Sequence, residues 1–149
     1  MARAKPEHPP WAEYATDRLA AAGYRRGGAR RAVVEILSGQ GCALSAFELE
    51  EALGRGDRKV GRASVYRILE ELEGLKLVTR VEVGDGVARF EASDPGGDHH
   101  HHFVCEECGD LTPFSDNELE RVIARVAKRL RFDVGEHDIT LRGACDRCK

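Results

Sequence analysis

The stretch RASVYRILEELEGLKLVTRVEVGDGVARFEA, residues 62–92, changes its hydrophobic period part-way along. Over Ala63–Glu73 the apolar residues Val65, Ile68, Leu69 and Leu72 recur at helical spacing and share one face. After Gly74 the period falls to two: Leu77–Val83 and Val87–Ala92 read as strands, and Gly84-Asp85-Gly86 between them reads as a hairpin turn. Upstream the period stays helical. Trp11, Ala15, Leu19 and Ala22 form one stripe, stopped by Gly23, and Val33, Val34, Ile36 and Leu37 form another over Arg30–Leu37. Ser45-Ala-Phe-Glu48 is a capping box opening a helix that is expected to bury Phe47, Leu49 and Leu53 and to end at Gly54. A polar connection, Arg55–Gly61, precedes the stretch quoted. Helices followed by a hairpin make a winged helix-turn-helix, with the hairpin as the wing, over residues 1–92.

Downstream, residues 93–98 (Ser-Asp-Pro-Gly-Gly-Asp) form a turn-rich linker and the expected domain boundary. In residues 99–149, His99–Cys105 and Leu111–Phe114 read as strands. Ser115-Asp-Asn-Glu118 reads as a second capping box, opening a helix to about Phe132 with the stripe Leu119, Val122, Ile123, Val126 and Leu130. A last strand spans Asp138–Arg142. The fold class is α+β: a winged helix followed by a small α/β domain.

Composition narrows the function classes. A 42% hydrophobic content is enough for a packed core. No apolar run approaches the roughly 18–20 residues of a membrane span, and the N-terminus lacks a signal-peptide stretch, so a cytoplasmic protein with no membrane partner is expected. The formal net charge is −3, unevenly spread. Arg18–Arg31 holds five arginines and no acid, and Arg55–Arg67 holds five basic residues against Asp57. Such stretches are footprints for phosphates or solvated helix faces.

The five cysteines carry the sharpest chemistry. Cys105 with Cys108 and Cys145 with Cys148 are two C-x-x-C knuckles, separated by 36 residues. In a reducing compartment such pairs read as metal ligands, and four thiolates close a tetrahedral, structural zinc shell. Cys42 is left over and reads as a small buried hydrophobe. The run His99-His100-His101-His102, taken as strand, sends alternate imidazoles to opposite faces. His99 and His101 would serve one site, His100 and His102 another, with Glu91, Glu120 and His137 as candidate partners for Zn, Fe(II), Ni or Cu. The polar start of the helix Arg62-Ala-Ser-Val-Tyr-Arg67 would enter a major groove, with Tyr66 and Arg67 on phosphates.

In order along the chain, R-A-S-V-Y-R-I-L-E-E-L, H-H-H-H-F-V-C-E-E-C-G and G-A-C-D-R-C resemble the ferric uptake regulator family of bacterial metal-sensing repressors. The resemblance runs from about Ala22 to Cys148; residues 1–14 lie outside it and are expected to pack on the first domain or be mobile. It implies a winged-helix DNA-binding domain (1–92), a hinge linker (93–98) and a dimerisation and metal-binding domain (99–149). It places structural zinc on Cys105, Cys108, Cys145 and Cys148. His99, His101, Glu120 and His137 match the metal site of the dimerisation domain. Glu91, His100 and His102 match the regulatory hinge site, and Arg25, Arg62, Ser64, Tyr66 and Arg67 fall at DNA-contacting positions.

The hinge set departs from the family. Ala43 stands where iron and peroxide sensors carry a histidine, Pro113 where some members carry an acid, and Thr79 and Ser93 where some zinc sensors carry an acid and a cysteine. Cys42 is a candidate substitute ligand.

The implied protein is a homodimer that binds a palindromic operator in double-stranded DNA when metal-loaded and represses metal-homeostasis genes. It takes structural Zn(II) plus a regulatory Zn(II) or Fe(II), with no small-molecule substrate. Peroxide-sensing and nickel- or manganese-sensing members are the alternatives within the family. Of the rivals from other classes, a zinc hydrolase or deaminase lacks both H-E-x-x-H and H-x-E…P-C-x-x-C. A zinc ribbon that only bridges proteins leaves the basic helix unexplained.

Overall fold

The computed structural model describes residues 10–40, 42–56, 59–95 and 99–149. The chain divides into two compact units, Met1–Asp98 and His99–Lys149. Residues 1–9 and 96–98, which the expectations for the N-terminus and the linker include, lie outside the described residues.

The first unit contains α1 (Trp11–Ala21), α2 (Gly28–Ser38), β1 (Leu44–Ser45), α3 (Ala46–Gly54), α4 (Arg62–Gly74), β2 (Val78–Glu82) and β3 (Ala88–Ala92). The stripes converge: Ala15 and Leu19 from α1, Val33, Val34 and Leu37 from α2, Leu49 and Leu53 from α3, and Val65, Ile68, Leu69 and Leu72 from α4 form one buried cluster. Trp11 packs on it and its Nε1 donates to Leu77 O at 3.1 Å, fixing the start of α1 to the entry of β2. Ala22 caps the helix and is exposed, so the first stripe ends one turn early.

The capping box on α3 is present: Ser45 Oγ accepts from Glu48 N at 3.1 Å, and Glu48 Oε2 from Ser45 N at 2.7 Å. Phe47, expected in the core, is 57% exposed. The buried positions on α3 are Ala46, Leu49 and Leu53. Residues two apart on a helix do not share a face, so Phe47 cannot follow Leu49 inward. Ser45 also belongs to β1, whose two residues pair with Phe90 and Arg89 and extend the wing to the sheet order β1-β3-β2. Two residues have no period to read, so this strand has no sequence signature. At the wing tip Gly84 and Gly86 take positive φ (85° and 77°), where a side chain would be strained. Asp85 accepts from Val87 N at 3.0 Å and pairs with Arg89 at 2.7 Å.

The second unit is built on β4 (His101–Cys105), flanked by antiparallel β5 (Leu111–Phe114) and parallel β6 (Thr140–Gly143), with α5 (Asn117–Arg129) between β5 and β6. Strand structure begins at His101 and not His99, and β6 starts two residues later than expected. α5 is capped by Asp116, not Ser115. Asp116 Oδ1 accepts from both Glu118 N and Leu119 N at 2.8 Å, while Ser115 Oγ turns away to donate to His99 O at 3.4 Å. A carboxylate at an N-terminus also complements the helix dipole, as Lys128 and Arg129 do in the last turn. α5 stops at Arg129, because Arg131 takes the left-handed conformation (φ 56°). No residue of α5 is buried, and Val122 and Leu130 are 42% and 67% exposed.

Removal of either cap tests these assignments. Asp116→Ala and Ser45→Ala each lower the unfolding free energy by about 1 kcal/mol in urea denaturation, whereas Ser115→Ala stays within about 0.5 kcal/mol.

Candidate metal centres

The β4–β6 register assembles the cysteine cluster. Parallel pairing sets Cys105 opposite Gly143, which brings the loop after β6 alongside the turn after β4. Glu106 N donates to Gly143 O at 2.8 Å, and Cys145 N to Cys105 Sγ at 3.3 Å. Within each knuckle a backbone bond closes the turn, Gly109 N to Cys105 O and Cys148 N to Cys145 O, both 2.9 Å. Gly109 adopts φ 74°, which favours glycine.

The four sulfurs lie within 4.8 Å of one another, and Cys108 Sγ is 3.8 Å from Cys145 Sγ. A tetrahedron with zinc–sulfur bonds of about 2.3 Å has edges of about 3.8 Å, so the spacing fits a shared ion. It is far beyond the roughly 2.05 Å of a disulfide. The thiols are electrostatically unequal. Amide donation from Cys145, then Cys108, lowers Cys105 to about 6, so a thiolate is present above that pH. Hydrogen bonding to Cys145 first, then Cys108, pushes Cys148 up to about 12. Arg147 and Asp110, 2.8 Å apart, join the two knuckles across the outside of the cluster. Sequence reading missed this pair, although opposite charges beside the two cysteine motifs were a usable signal.

The second cluster comprises His99, His101, Glu120 and His137, whose ligand atoms also lie within 4.8 Å of one another. Glu120, near the start of α5, accepts from His101 Nε2 at 2.7 Å and His137 Nε2 at 2.8 Å, and lies 3.4 Å from His99 Nε2. His99 Nε2 and His137 Nε2 are 3.0 Å apart. The hydrogen bond from His101, with a further one from His137, holds the Glu120 carboxyl below its usual range. His101 is 1% exposed, and its Nδ1 accepts the Ile139 amide at 3.2 Å. That bond leaves the ring proton on Nε2, facing Glu120. Three imidazoles and a carboxylate converging on one point are a donor set suited to a divalent transition metal.

His100 and His102 are directed away from this cluster, their rings 5.0 Å apart. His102 is buried, and its amide donates to Ile139 O at 3.0 Å. Glu91 lies on β3 of the first unit, and Cys42 is half-buried in that unit. Ala43 is buried, and Pro113 sits on β5 opposite His102. Thr79 and Ser93 hydrogen-bond to each other at 2.9 Å.

On α4 the exposed residues at the N-terminal end include Arg62, Tyr66 and Arg67, with Ser64 half-buried. Arg62 is paired with Glu50 at 2.8 Å. Arg25 is exposed in the loop between α1 and α2.

The profile described as the ferric uptake regulator family matches residues 21–142. The chain belongs to the ferric uptake regulator family. It is 36% identical to the ferric uptake regulation protein of Bacillus subtilis over 121 residues, covering 80% of this chain and 81% of that protein. The Vibrio cholerae ferric uptake regulator structure aligns with a TM-score of 0.77 at 31% identity, covering 87% of this chain and 98% of that one. The Helicobacter pylori ferric uptake regulator, whose structure is described as revealing three functional metal-binding sites, aligns at 0.81 and 28% identity, covering 92% and 93%. Members of this family are transcription regulators, not enzymes. They are dimeric and DNA-binding. Among the described residues no helix is long and apolar enough to cross a membrane.

Two outcomes follow from the geometry. In metal-free protein, thiolate absorbance in the ultraviolet rises first near pH 6 and is completed only near pH 12. Glu120→Gln lowers the metal bound at saturation by one per chain in elemental analysis, while the metal shielding the thiols from alkylation stays.

Proposed function

We propose that the chain is a metal-responsive transcriptional repressor that binds a palindromic operator as a metal-loaded homodimer in the cytoplasm and controls metal-homeostasis genes. The observation that carries this reading is the division of the four-histidine run. His99 and His101 meet Glu120 and His137, while His100 and His102 are directed elsewhere. One segment therefore offers ligands to two separate ions.

Residues 1–92 are the DNA-binding domain, 93–98 the hinge and 99–149 the dimerisation domain. Cys105, Cys108, Cys145 and Cys148 hold structural Zn(II), which ties the last knuckle to β4. His99, His101, Glu120 and His137 hold a metal within the dimerisation domain. Glu91, His100 and His102 hold the regulatory ion, Zn(II) or Fe(II). The apolar stripe of α5, half-buried at Leu119, Ile123 and Val126 and exposed at Val122 and Leu130, supports pairing of two copies. On DNA, Arg62 and Ser64 reach bases from the N-terminal end of α4, Tyr66 and Arg67 hold phosphates, and Arg25 enters the adjacent minor groove. Arg62 exchanges Glu50 for the duplex on binding.

Regulation follows from where the ligands stand in sequence. Glu91 precedes the 93–98 segment and His100 and His102 follow it, so an ion shared by them restricts the DNA-binding domain relative to the dimer core. Two winged helices held about one helical turn apart grip one face of the duplex. Loss of the ion lowers the population competent to bind.

The test uses a duplex selected from a randomised pool by the metal-loaded protein. Stripping the exchangeable metal, with zinc retained on the cysteines as shown by elemental analysis, weakens binding by at least roughly tenfold, within the usual range of allosteric coupling. Unchanged affinity of the demetallated dimer overturns the regulatory reading.

A further inference from the structure

Between α1 and α2 the chain makes a short connection, Ala22–Gly27, whose Arg25 and Arg26 are exposed. Its internal bonding is slight: Tyr24 N donates back to Leu19 O at 3.1 Å, and Gly27 N to Arg25 O at 2.7 Å. Gly27 caps α2 without a side chain to fasten it. A cavity of about 570 Å³ opens on this side, with Tyr24, Arg25, Gly28 and Arg30 among its lining residues. Tyr24 packs against the core of the unit, but the exposed Arg25 and Arg26 that follow have no such support from packing.

One side chain supplies what packing does not. Arg30, in the first turn of α2, sends Nε to Glu71 Oε2 at 2.7 Å and Nη2 to Glu71 Oε1 at 2.8 Å, a two-pronged fork. Its remaining nitrogen, Nη1, donates to Arg25 O at 3.4 Å, and its guanidinium carbon lies 5.2 Å from the centre of the Tyr24 ring. Glu71 stands on α4, the helix that carries Tyr66 and Arg67. The pair is largely withdrawn from water, with side chains 23% and 12% exposed. The fork holds the Glu71 carboxyl below its usual range, so the pair stays ionised. A planar guanidinium alone can serve a carboxylate with two parallel bonds, a carbonyl with a third nitrogen and an aromatic ring with its face; an ammonium group cannot.

We infer that Arg30 is a positioning residue: through Glu71 it fixes the backbone of Arg25 relative to α4, so that minor-groove and major-groove contacts reach the duplex in register. This rests on the DNA-binding reading above. The competing account is an ion pair that stabilises the first unit and has no bearing on Arg25.

A double-mutant cycle on the metal-loaded protein separates the two. The probes are the selected duplex and the same duplex with its A·T-rich flank replaced by G·C. In the wild-type background Arg25→Ala costs roughly tenfold in affinity on the first duplex and much less on the second. In Arg30→Lys, which keeps the charge and loses the fork, that cost falls to about twofold or less and the preference between flanks disappears. If Arg30→Lys fails to fold, Glu71→Gln removes the same fork from the other helix and gives the same result. An Arg25→Ala cost that is the same in both backgrounds, with only the melting temperature lowered, overturns the inference, as does an Arg25→Ala variant that binds normally. If the wild-type protein selects no duplex at any metal loading, the DNA-binding reading falls, and this inference falls with it.

Discussion

The parallel pairing of β4 with β6 is the constraint on which the second unit depends. Its register, His102 opposite Thr140 and Cys105 opposite Gly143, joins segments separated by most of the unit. At one end it delivers Cys145 and Cys148 to Cys105 and Cys108. At the other it delivers His137, three residues before Thr140, to His99, His101 and Glu120. Side chains alternate between faces along a strand, so a one-residue slip would put His102 on the Glu120 face in place of His101. Both candidate metal clusters are thus consequences of one register. A closed four-thiolate shell at the Cys105 end would hold it from the end opposite the histidines.

The parts of the fold legible in the sequence were those where one physical requirement dominates. The helical stripes of the first unit predicted Ala15, Leu19, Val33, Val34, Leu37, Leu49 and the four α4 residues, because burial on one face leaves a period of 3.6. The cysteine spacing was legible for a similar reason: a two-residue knuckle is set by local backbone geometry. Where two requirements competed, the sequence was ambiguous. Phe47 is apolar but stands on the wrong side of α3. Ser115 and Asp116 are both good caps, and the aspartate takes the role while Ser115 bonds to His99 O. His99 and His100 extend a strand-like pattern but find no partner strand there, so β4 begins at His101. Nothing local announced the Arg30–Glu71 fork, since its members are 41 residues apart.

The α5 stripe presents the opposite case. Its period was readable and its helix forms, yet burial within one chain does not follow. Leu119, Ile123 and Val126 are only half-buried and Val122 and Leu130 are exposed, so the stripe is incompletely covered within the chain. An apolar period is the same whether the face packs on a core or on another molecule, and no feature of the pattern itself separates those two cases.

The two faces of the histidine run meet the backbone of a single residue. Ile139 donates its amide to His101 Nδ1 and accepts the His102 amide at its carbonyl. His101 reaches Glu120 through Nε2 while its Nδ1 accepts a hydrogen bond from Ile139 N. To hold a metal through Nε2, a neutral His101 would carry its proton on Nδ1, the atom that faces the Ile139 amide. The donor set fits a metal, but the hydrogen-bond network around it is satisfied without one. The amide that donates to His101 and the carbonyl that accepts from His102 belong to one residue, Ile139, so a single backbone position meets both histidine faces.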